Sequence, residues 1–167
     1  QSVLQNKTFS AEVKQIEVDG VKAYMMEEHS NPIVSMSFKF KNAGYAFDKV
    51  GKFGLANISS DLITEGAGKY TEKTLKDLLG ENGIRIGFSV GRDDFSGTMI
   101  TPKENLKTAV SLLKQIMYFP RLPENQLDIL KSQALKSIEL QNENPKSVLS
   151  LKASEIIYGE HPYARNP

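Results

Sequence analysis

Apolar and polar residues alternate over the first quarter of the chain, a pattern that is typical of β-strands. Residues 12–18 and 21–27 flank Asp19-Gly20, a dipeptide that favours a two-residue hairpin turn. A longer apolar run follows at residues 33–40. The pattern therefore predicts a β-hairpin and then a third strand.

Helical periodicity begins after this run. The apolar residues between positions 53 and 63 predict a buried helix that ends near Gly66 and Gly68, because glycine commonly follows the last helical turn. Thr71 is a suitable N-cap for a second helix over residues 71–82, in which three leucines form one stripe. Two helices are thus expected before the middle of the chain.

Two more strands and a third helix are predicted next. Residues 84–90 and 95–101 alternate in polarity and are separated by Gly91-Arg92-Asp93-Asp94, so we expect antiparallel neighbours. The third helix starts at Lys103 or Glu104 and ends at about Tyr118. Its expected inward-facing residues are Leu106, Ala109, Val110, Leu113, Ile116 and Met117.

The last part of the chain reads as two helices. Pro123 suits the first turn of a helix that runs towards Asn142. Its expected apolar side carries Leu127, Leu130, Ala134, Leu135 and Ile138. Asn144-Pro145 interrupts the pattern before a final helix over residues 146–158, because the residue before a proline disfavours helical geometry.

These elements predict an α+β fold, in which a mainly antiparallel sheet is packed on one face by helices. With 167 residues and 40% apolar content, the chain is long enough to bury one sizeable core, so we expect residues 1–167 to form a single domain. Gly87, Gly91 and Gly97 lack the sequence context of a phosphate-binding loop, and bulges or tight bends are expected there.

Composition narrows the possible functions. The 21 basic and 20 acidic residues nearly cancel, so we expect no nucleic-acid partner. No apolar run approaches the length of a membrane span. The count of zero cysteines excludes thiol catalysis, thiolate metal sites and disulfides. The polar, uncharged start at residues 1–6 suits either the mature end of an exported bacterial protein, which is the preferred interpretation, or a trimmed chain.

Isolated chemical groups have simple explanations. His29 and His161 are expected to be two solvated side chains rather than a metal pair, and Asp93-Asp94 to be part of a hairpin turn rather than a catalytic carboxylate pair. Four lysines at positions 39, 41, 49 and 52 predict a solvated, charged loop. The alternative is a loop at the mouth of a peptide chamber that favours acidic substrates.

One ordered set of segments resembles a known family. The strand at residues 33–40 leads through Asn42-Ala43-Gly44 to residues 51–56 and then to residues 64–68. This order resembles the N-terminal domain of the insulinase/pitrilysin (M16) family of zinc peptidases, which implies an M16 peptidase-like, LuxS-metallohydrolase-like fold. Residues 158–163 resemble a family segment that continues into further strands and a second, similar domain, so a longer two-domain protein is expected.

The resemblance points to a site whose metal-binding groups are replaced. Active members carry H-x-x-E-H on the helix after the Gly-Leu-Ala segment, with two zinc-binding histidines one helical turn apart and a glutamate as general base. In this chain Asn57, Ser60 and Asp61 stand at those three positions. The family's third ligand is a glutamate on a later helix, and alignment on the Asn144-Pro145 turn places Ser137 there, with Glu139 facing another side.

Three hypotheses follow from the resemblance. The first is a non-catalytic subunit of a heterodimeric M16-like peptidase, which helps to enclose a peptide substrate and binds no zinc, while a partner carrying H-x-x-E-H holds the metal. In such pairs the inactive subunit supplies an Arg/Tyr pair from its C-terminal domain, which lies outside this chain. The second is a structural scaffold without a peptidase partner, and the third is an atypical active zinc peptidase.

The replaced positions leave two local alternatives. Asn57 and Asp61 are one helical turn apart, so they are expected to form a hydrogen-bonded polar patch with Ser60. Weak metal binding through Asp61 is the other possibility, and it is disfavoured because one carboxylate without imidazole support makes a poor zinc site. A pocket that accepts extended peptide through main-chain groups is compatible with either.

Overall fold

The computed structural model describes residues 12–165 of the chain. The chain divides into two compact units, Gln1–Pro32 and Ile33–Pro167. Residues 1–6, which suggested an exported protein, lie outside the described part.

The described part of the first unit is a β-hairpin. Strand β1 (Val13–Val18) pairs in antiparallel register with β2 (Val21–Met26), and Val18 lies opposite Val21. Asp19 and Gly20 have φ angles of 50° and 80°, the left-handed pair of a turn whose twist matches that of the strands. The predicted hairpin is confirmed.

The second unit contains the remaining elements. In chain order these are β3 (Ile33–Lys41), α1 (Leu55–Leu62), β4 (Gly66–Ala67), β5 (Tyr70–Thr71), α2 (Glu72–Glu81), β6 (Arg85–Val90), β7 (Asp94–Pro102), α3 (Leu106–Tyr118), α4 (Glu124–Glu143) and α5 (Pro145–Tyr158). Every helix and strand expected from the sequence is present. The short β4–β5 hairpin, whose turn uses the left-handed Gly68, was not predicted from the sequence.

Strand β7 is the centre of a three-stranded antiparallel sheet and pairs with β3 on one side and β6 on the other. Gly97 lies in this central strand, opposite Phe38 and Phe88, and pairing is continuous through it. A Cβ at Gly97 would overlap the Phe38 ring. The expected bulge at Gly97 is therefore wrong: the glycine is needed because an aromatic ring lies across it. Gly87 is also in regular register, whereas Gly91 lies in the turn before β7.

Helices cover one face of this sheet. Along β7, Gly97, Met99 and Thr101 are buried while Thr98 and Ile100 between them are exposed, so only one face is packed. The hydrophobic core consists of Ala67, Leu75, Ile84, Met99, Ala109, Leu112, Leu113 and Ile116. Four of these residues belong to α3, which is the principal core helix. The predicted α+β architecture is confirmed.

The helix predictions need three corrections. Val110 of α3 is 48% exposed, and Leu112, which was not expected to face inward, is 4% exposed. Helix α1 is not a buried helix, because only Ser60 and Leu62 within it are buried. Of the expected apolar side of α4, Leu135 and Ile138 are exposed, and no residue of that helix is fully buried.

The helix ends agree with the sequence signals. Thr71 Oγ1 accepts a hydrogen bond from the Thr74 amide and caps α2. Asn144 caps α5 by accepting from the amides of Lys146 and Ser147, and Pro145 occupies the first turn. Pro123 immediately precedes α4 instead of lying within it. Within residues 12–165, no helix combines the length and the apolar character needed to cross a membrane.

Candidate functional site

Helix α1 is positioned by a carboxylate at its N-terminus. Asp48 accepts hydrogen bonds from the amides of Gly54 (2.9 Å) and Ala56 (3.1 Å). Those amides have no partner inside the helix, and a negative charge is favourable at this end of the helix dipole. Gly54 has a φ of 87°, which glycine adopts without strain. Asp48 therefore fixes the start of the helix on which the replaced motif lies.

A second contact holds the same loop. Arg165 Nη1 donates to the Asp48 carbonyl oxygen at 3.5 Å, and its guanidinium group lies 4.5 Å from the centre of the Phe53 ring. The cation over the aromatic face is an attractive arrangement. Arg165, the last described residue, thus stabilises the segment that leads into α1.

The four replaced motif positions are placed differently from one another. Ser60 is 8% exposed, and its hydroxyl donates to the Asn57 carbonyl oxygen at 2.7 Å. Asp61 is exposed, and its carbonyl oxygen accepts from Thr64 Oγ1 at 3.1 Å. Within the described chain, no hydrogen bond joins the side chains of Asn57 and Asp61. The expected link between them is wrong, because the Asp61 carboxylate is solvated.

Asn57 and Ser137 meet at one cleft between α1 and α4. The cleft has a volume of about 590 Å³. Its lining residues are Phe53, Gly54, Asn57, Ile58, Lys131, Ala134, Leu135, Ser137, Ile138 and Gln141. The alignment that paired a position on α1 with one on α4 thus selected residues that face the same space. Ser60 and Asp61 do not line this cleft.

The donor set does not fit the zinc ion that the family implies. Zinc in proteins is held by imidazole, thiolate and carboxylate groups in tetrahedral sets. Among the described residues, the cleft offers amides from Asn57 and Gln141 and a hydroxyl from Ser137, and the charged side chain in its lining is the cation Lys131. Across residues 12–165, no three His, Cys, Asp or Glu side chains are grouped closely enough to hold a metal ion.

Each of the two histidines contacts a residue close to it in the chain. His29 is highly exposed and lies 3.6 Å from the Glu27 carboxylate. His161 Nδ1 accepts a hydrogen bond from the Tyr163 amide at 3.2 Å and caps a short helical turn over Pro162–Ala164. The first lies in the hairpin unit and the second after α5. Both have roles that need no metal.

The Asp93-Asp94 pair forms a turn, as expected. Asp94 pairs with Lys39 at 3.0 Å, and this hydrogen bond lowers the pKa of Asp94 below its usual value. Asp93 accepts a hydrogen bond from the Tyr163 hydroxyl, which raises the pKa of that tyrosine. The two carboxylates therefore have separate partners. The predicted charged loop is wrong for Lys39 and Lys41, because both lie in β3, whereas Lys49 and Lys52 are exposed in the loop before α1.

An arginine joins the turn to the end of α5. Arg92 lies 5.7 Å from the centre of the Tyr158 ring and 5.1 Å from that of Tyr163, and its Nε donates to the Tyr45 hydroxyl at 3.0 Å. Nothing in the sequence brought these residues together, since Tyr45, Arg92 and the segment that carries Tyr158 and Tyr163 are distant along the chain. The cluster supports the same loop that Asp48 belongs to, and so contributes to the position of α1.

The fold thus combines an antiparallel sheet that is covered on one face by helices with a cleft between α1 and α4, the helices that carry Asn57 and Ser137. The family model "Insulinase (Peptidase family M16)" matches residues 4–166. The chain therefore belongs to the M16 family.

Three individual relatives share between 16% and 25% sequence identity with this chain. The chain is 25% identical over 139 residues to the "Non-peptidase homolog YmxG" of Helicobacter pylori (strain ATCC 700392 / 26695), covering 83% of this chain and 32% of that protein. The structure of this chain resembles a peptidase M16 inactive domain from Pseudomonas fluorescens, with a TM-score of 0.85 and 22% identity. The match covers 93% of this chain and 38% of the other.

A protease from Helicobacter pylori has a similar fold, with a TM-score of 0.75, 16% identity, and coverage of 93% of this chain and 38% of the other. These identities are low, so the two structures establish the fold alone. The chain spans 32% of the length of its curated relative. What the whole protein does is therefore a matter for proposal.

Proposed function

We propose that the chain is part of a non-catalytic subunit of a heterodimeric M16-like peptidase. One observation carries the proposal: the M16 fold is retained while Asn57, Ser60, Asp61 and Ser137 replace the zinc ligands and the general base. A serine hydroxyl does not act as a base near neutral pH without activation, and an amide does not replace an imidazole as a zinc ligand. Proteolysis would then require a partner subunit that carries H-x-x-E-H and holds the zinc.

In this proposal the chain contributes a wall of the peptide chamber. The names of its relatives support the inactive assignment, since one is called a non-peptidase homologue and another an inactive domain. The cleft between α1 and α4 is an available surface for peptide, because its lining is mainly apolar with a few polar groups. A periplasmic or otherwise exported location is part of the same proposal.

Co-purification tests the partner. The full-length protein would be isolated from its native cells under mild cross-linking, and the recovered chains identified and counted by mass spectrometry. We expect a stoichiometric partner with an intact H-x-x-E-H. A tagged, unrelated protein from the same compartment is the control. Recovery of structural assembly subunits without any such partner would instead support the scaffold hypothesis.

Metal content tests the absence of catalysis in this subunit. We expect the isolated full-length protein to bind no stoichiometric zinc and to cleave no peptide. A variant with Asn57→His, Ser60→Glu, Asp61→His and Ser137→Glu is the matched comparison, because it restores the residue types of the family's motif on the same fold. Stoichiometric zinc together with cleavage by the unmodified protein would overturn the proposal in favour of an atypical active peptidase.

A further inference from the structure

The cleft between α1 and α4 has the features of a ligand site. Its volume of about 590 Å³ lies within the range of small-ligand pockets. Phe53 and Ile58 line it from the α1 side, and Leu135 and Ile138 line it from α4. The apolar residues of α4 are three residues apart and share one face. An apolar side chain of a ligand would therefore be covered from both helices.

The charge of the described lining residues is positive. Among the lining residues that the structure describes, Lys131 is the charged one and none is a carboxylate. The nearest ionic partner of Lys131 is Asp128, one turn earlier on α4, at 4.0 Å with both side chains more than half exposed. Such a pair is weak and screened by solvent, so it leaves the ammonium group able to bind a second anion. The cleft is thus complementary to a ligand with one negative charge.

The described lining contains three uncharged polar side chains, Asn57, Ser137 and Gln141, and the first two distinguish among anionic ligands. The Asn57 amide and the Ser137 hydroxyl can each donate and accept hydrogen bonds. A peptide main chain presents both N–H and C=O groups to such side chains. A fatty acid presents neither along its chain, so these two residues would lose hydrogen bonds to water without replacement. The polar groups therefore favour a peptide over a lipid.

We infer that this cleft binds the C-terminal end of a peptide. The terminal carboxylate pairs with Lys131, the main chain hydrogen-bonds to Asn57 and Ser137, and an apolar last side chain lies between α1 and α4. This inference rests on the proposed non-catalytic, peptide-binding function and specifies its ligand. Asn57 and Ser137, two of the four motif positions, then belong to a binding site for a free peptide end in place of a site that polarises a peptide bond.

Calorimetric titration of the isolated full-length protein tests the inference. One probe is acetyl-Ala-Leu-Leu with a free terminal carboxylate, and the other is the same peptide as its C-terminal amide. We expect the free acid to bind about fivefold more tightly, the ratio appropriate to an ion pair at a half-exposed lysine. Dodecanoate is the lipid probe, and it is expected not to compete with the peptide.

Three variants of α4 complete the test. Lys131→Met is expected to bind both peptides equally, while Lys131→Arg keeps the preference for the acid. Lys136→Met removes an exposed charge outside the lining and should leave the preference unchanged. Circular dichroism verifies that each variant is folded. Equal binding of acid and amide to the unmodified protein, binding of neither peptide, or displacement of the peptide by dodecanoate would each overturn the inference.

The titration and the co-purification fail independently. Both walls of the cleft come from this chain, so the titration needs no partner subunit. Loss of the heterodimer in co-purification with a persistent acid preference would refute the partner and retain the peptide-end site. A recovered partner together with no acid preference would retain the proposed function and refute the assignment of its ligand.

Discussion

The core under the sheet and the cleft between α1 and α4 are built from similar residues but differ in burial. In the core, Ala109 and Ile116 of α3 are 0% exposed. In the cleft, Leu135 and Ile138 of α4 are 64% and 44% exposed. Burial of apolar surface is the main favourable term in folding, so most of the stability belongs to the core. Residues of the cleft can therefore change without loss of the fold.

This difference is compatible with the proposed replacement of metal ligands on a retained scaffold. Asn57 and Ser137 line the cleft, and neither belongs to the core cluster. Substitutions at such partly exposed positions usually change stability little. The fold is thus maintained by one set of residues and the chemistry of the site by another.

Truncation of matched isoleucines should show the largest contrast. Ile116→Ala would leave a cavity in the core, and we expect a loss of about 2–5 kcal/mol in the free energy of unfolding. Ile138→Ala removes a side chain that is already 44% exposed, and we expect a loss of under about 1 kcal/mol. Urea denaturation of the two variants measures both values. Equal losses would show that the cleft contributes to stability as much as the core does.

Alanine substitution at two glycines tests the same comparison at the level of the backbone. Gly44 is buried, and a Cβ there would overlap the backbone of Gly91 and Arg92, which accept the amide hydrogen bonds of Tyr45 and Ala46. We expect Gly44→Ala to destabilise the protein by about 1–3 kcal/mol, because backbone atoms have no room to move aside.

Gly80 is the matched control for this substitution. It lies in α2 with no atom within 4 Å of an added Cβ, so Gly80→Ala should stabilise the protein by about 0.4–1 kcal/mol. Thermal unfolding distinguishes the opposite signs. A neutral Gly44→Ala would mean that the loop before α1 is free to shift away from the turn between β6 and β7.

The helix cap at the cleft should have an intermediate effect. Asp48→Ala leaves the amides of Gly54 and Ala56 without their acceptor, and we expect a loss of about 0.5–2 kcal/mol. Asp48→Asn retains an acceptor and should cost less. Amide hydrogen exchange at these two residues, followed by NMR, reports whether the effect is local. Unchanged exchange in Asp48→Ala would show that the start of α1 is held by other contacts.

Periodicity in the sequence was sufficient to locate α3 but not to select all of its buried residues. Leu112 lies one turn from both Ala109 and Ile116 and is 4% exposed, whereas Val110 lies about 100° around the helix from Ala109 and is 48% exposed. Apolar residues on both edges of the stripe satisfy the pattern. Only the direction of the sheet decides which edge is buried.

The candidate site was predictable in part for a related reason. The motif spacing identified Asn57, and the alignment on Asn144-Pro145 identified Ser137, which lines the same cleft. The cap by Asp48 was not predictable, because it reaches amides six and eight residues away and depends on the path of the loop. The solvation of Asp61 likewise depends on which side of α1 meets α4.

A hydrogen-bonded network connects α2, which packs in the core, to α4. Glu72 of α2 accepts a hydrogen bond from Lys76 at 2.7 Å and another from Gln126 of α4 at 2.7 Å. Lys76 also lies 3.3 Å from Glu65, which follows α1. The network therefore links the two helices that form the cleft through α2, which carries the core residue Leu75.

The pH dependence of stability should show the smallest effect. The hydrogen bond from Lys76 is the main reason that the pKa of Glu72 lies below its ordinary value of 4.5. A carboxylate whose pKa is lower in the folded state contributes stability above pH 4.5, and that contribution is lost as the pH falls through the lowered pKa. We expect Glu72→Gln to reduce the loss of thermal stability between about pH 6 and about pH 3, with Glu143→Gln at the exposed end of α4 as the control. If Glu72→Gln kept the full pH dependence of the unmodified protein, the network would have no part in holding α4 to α2.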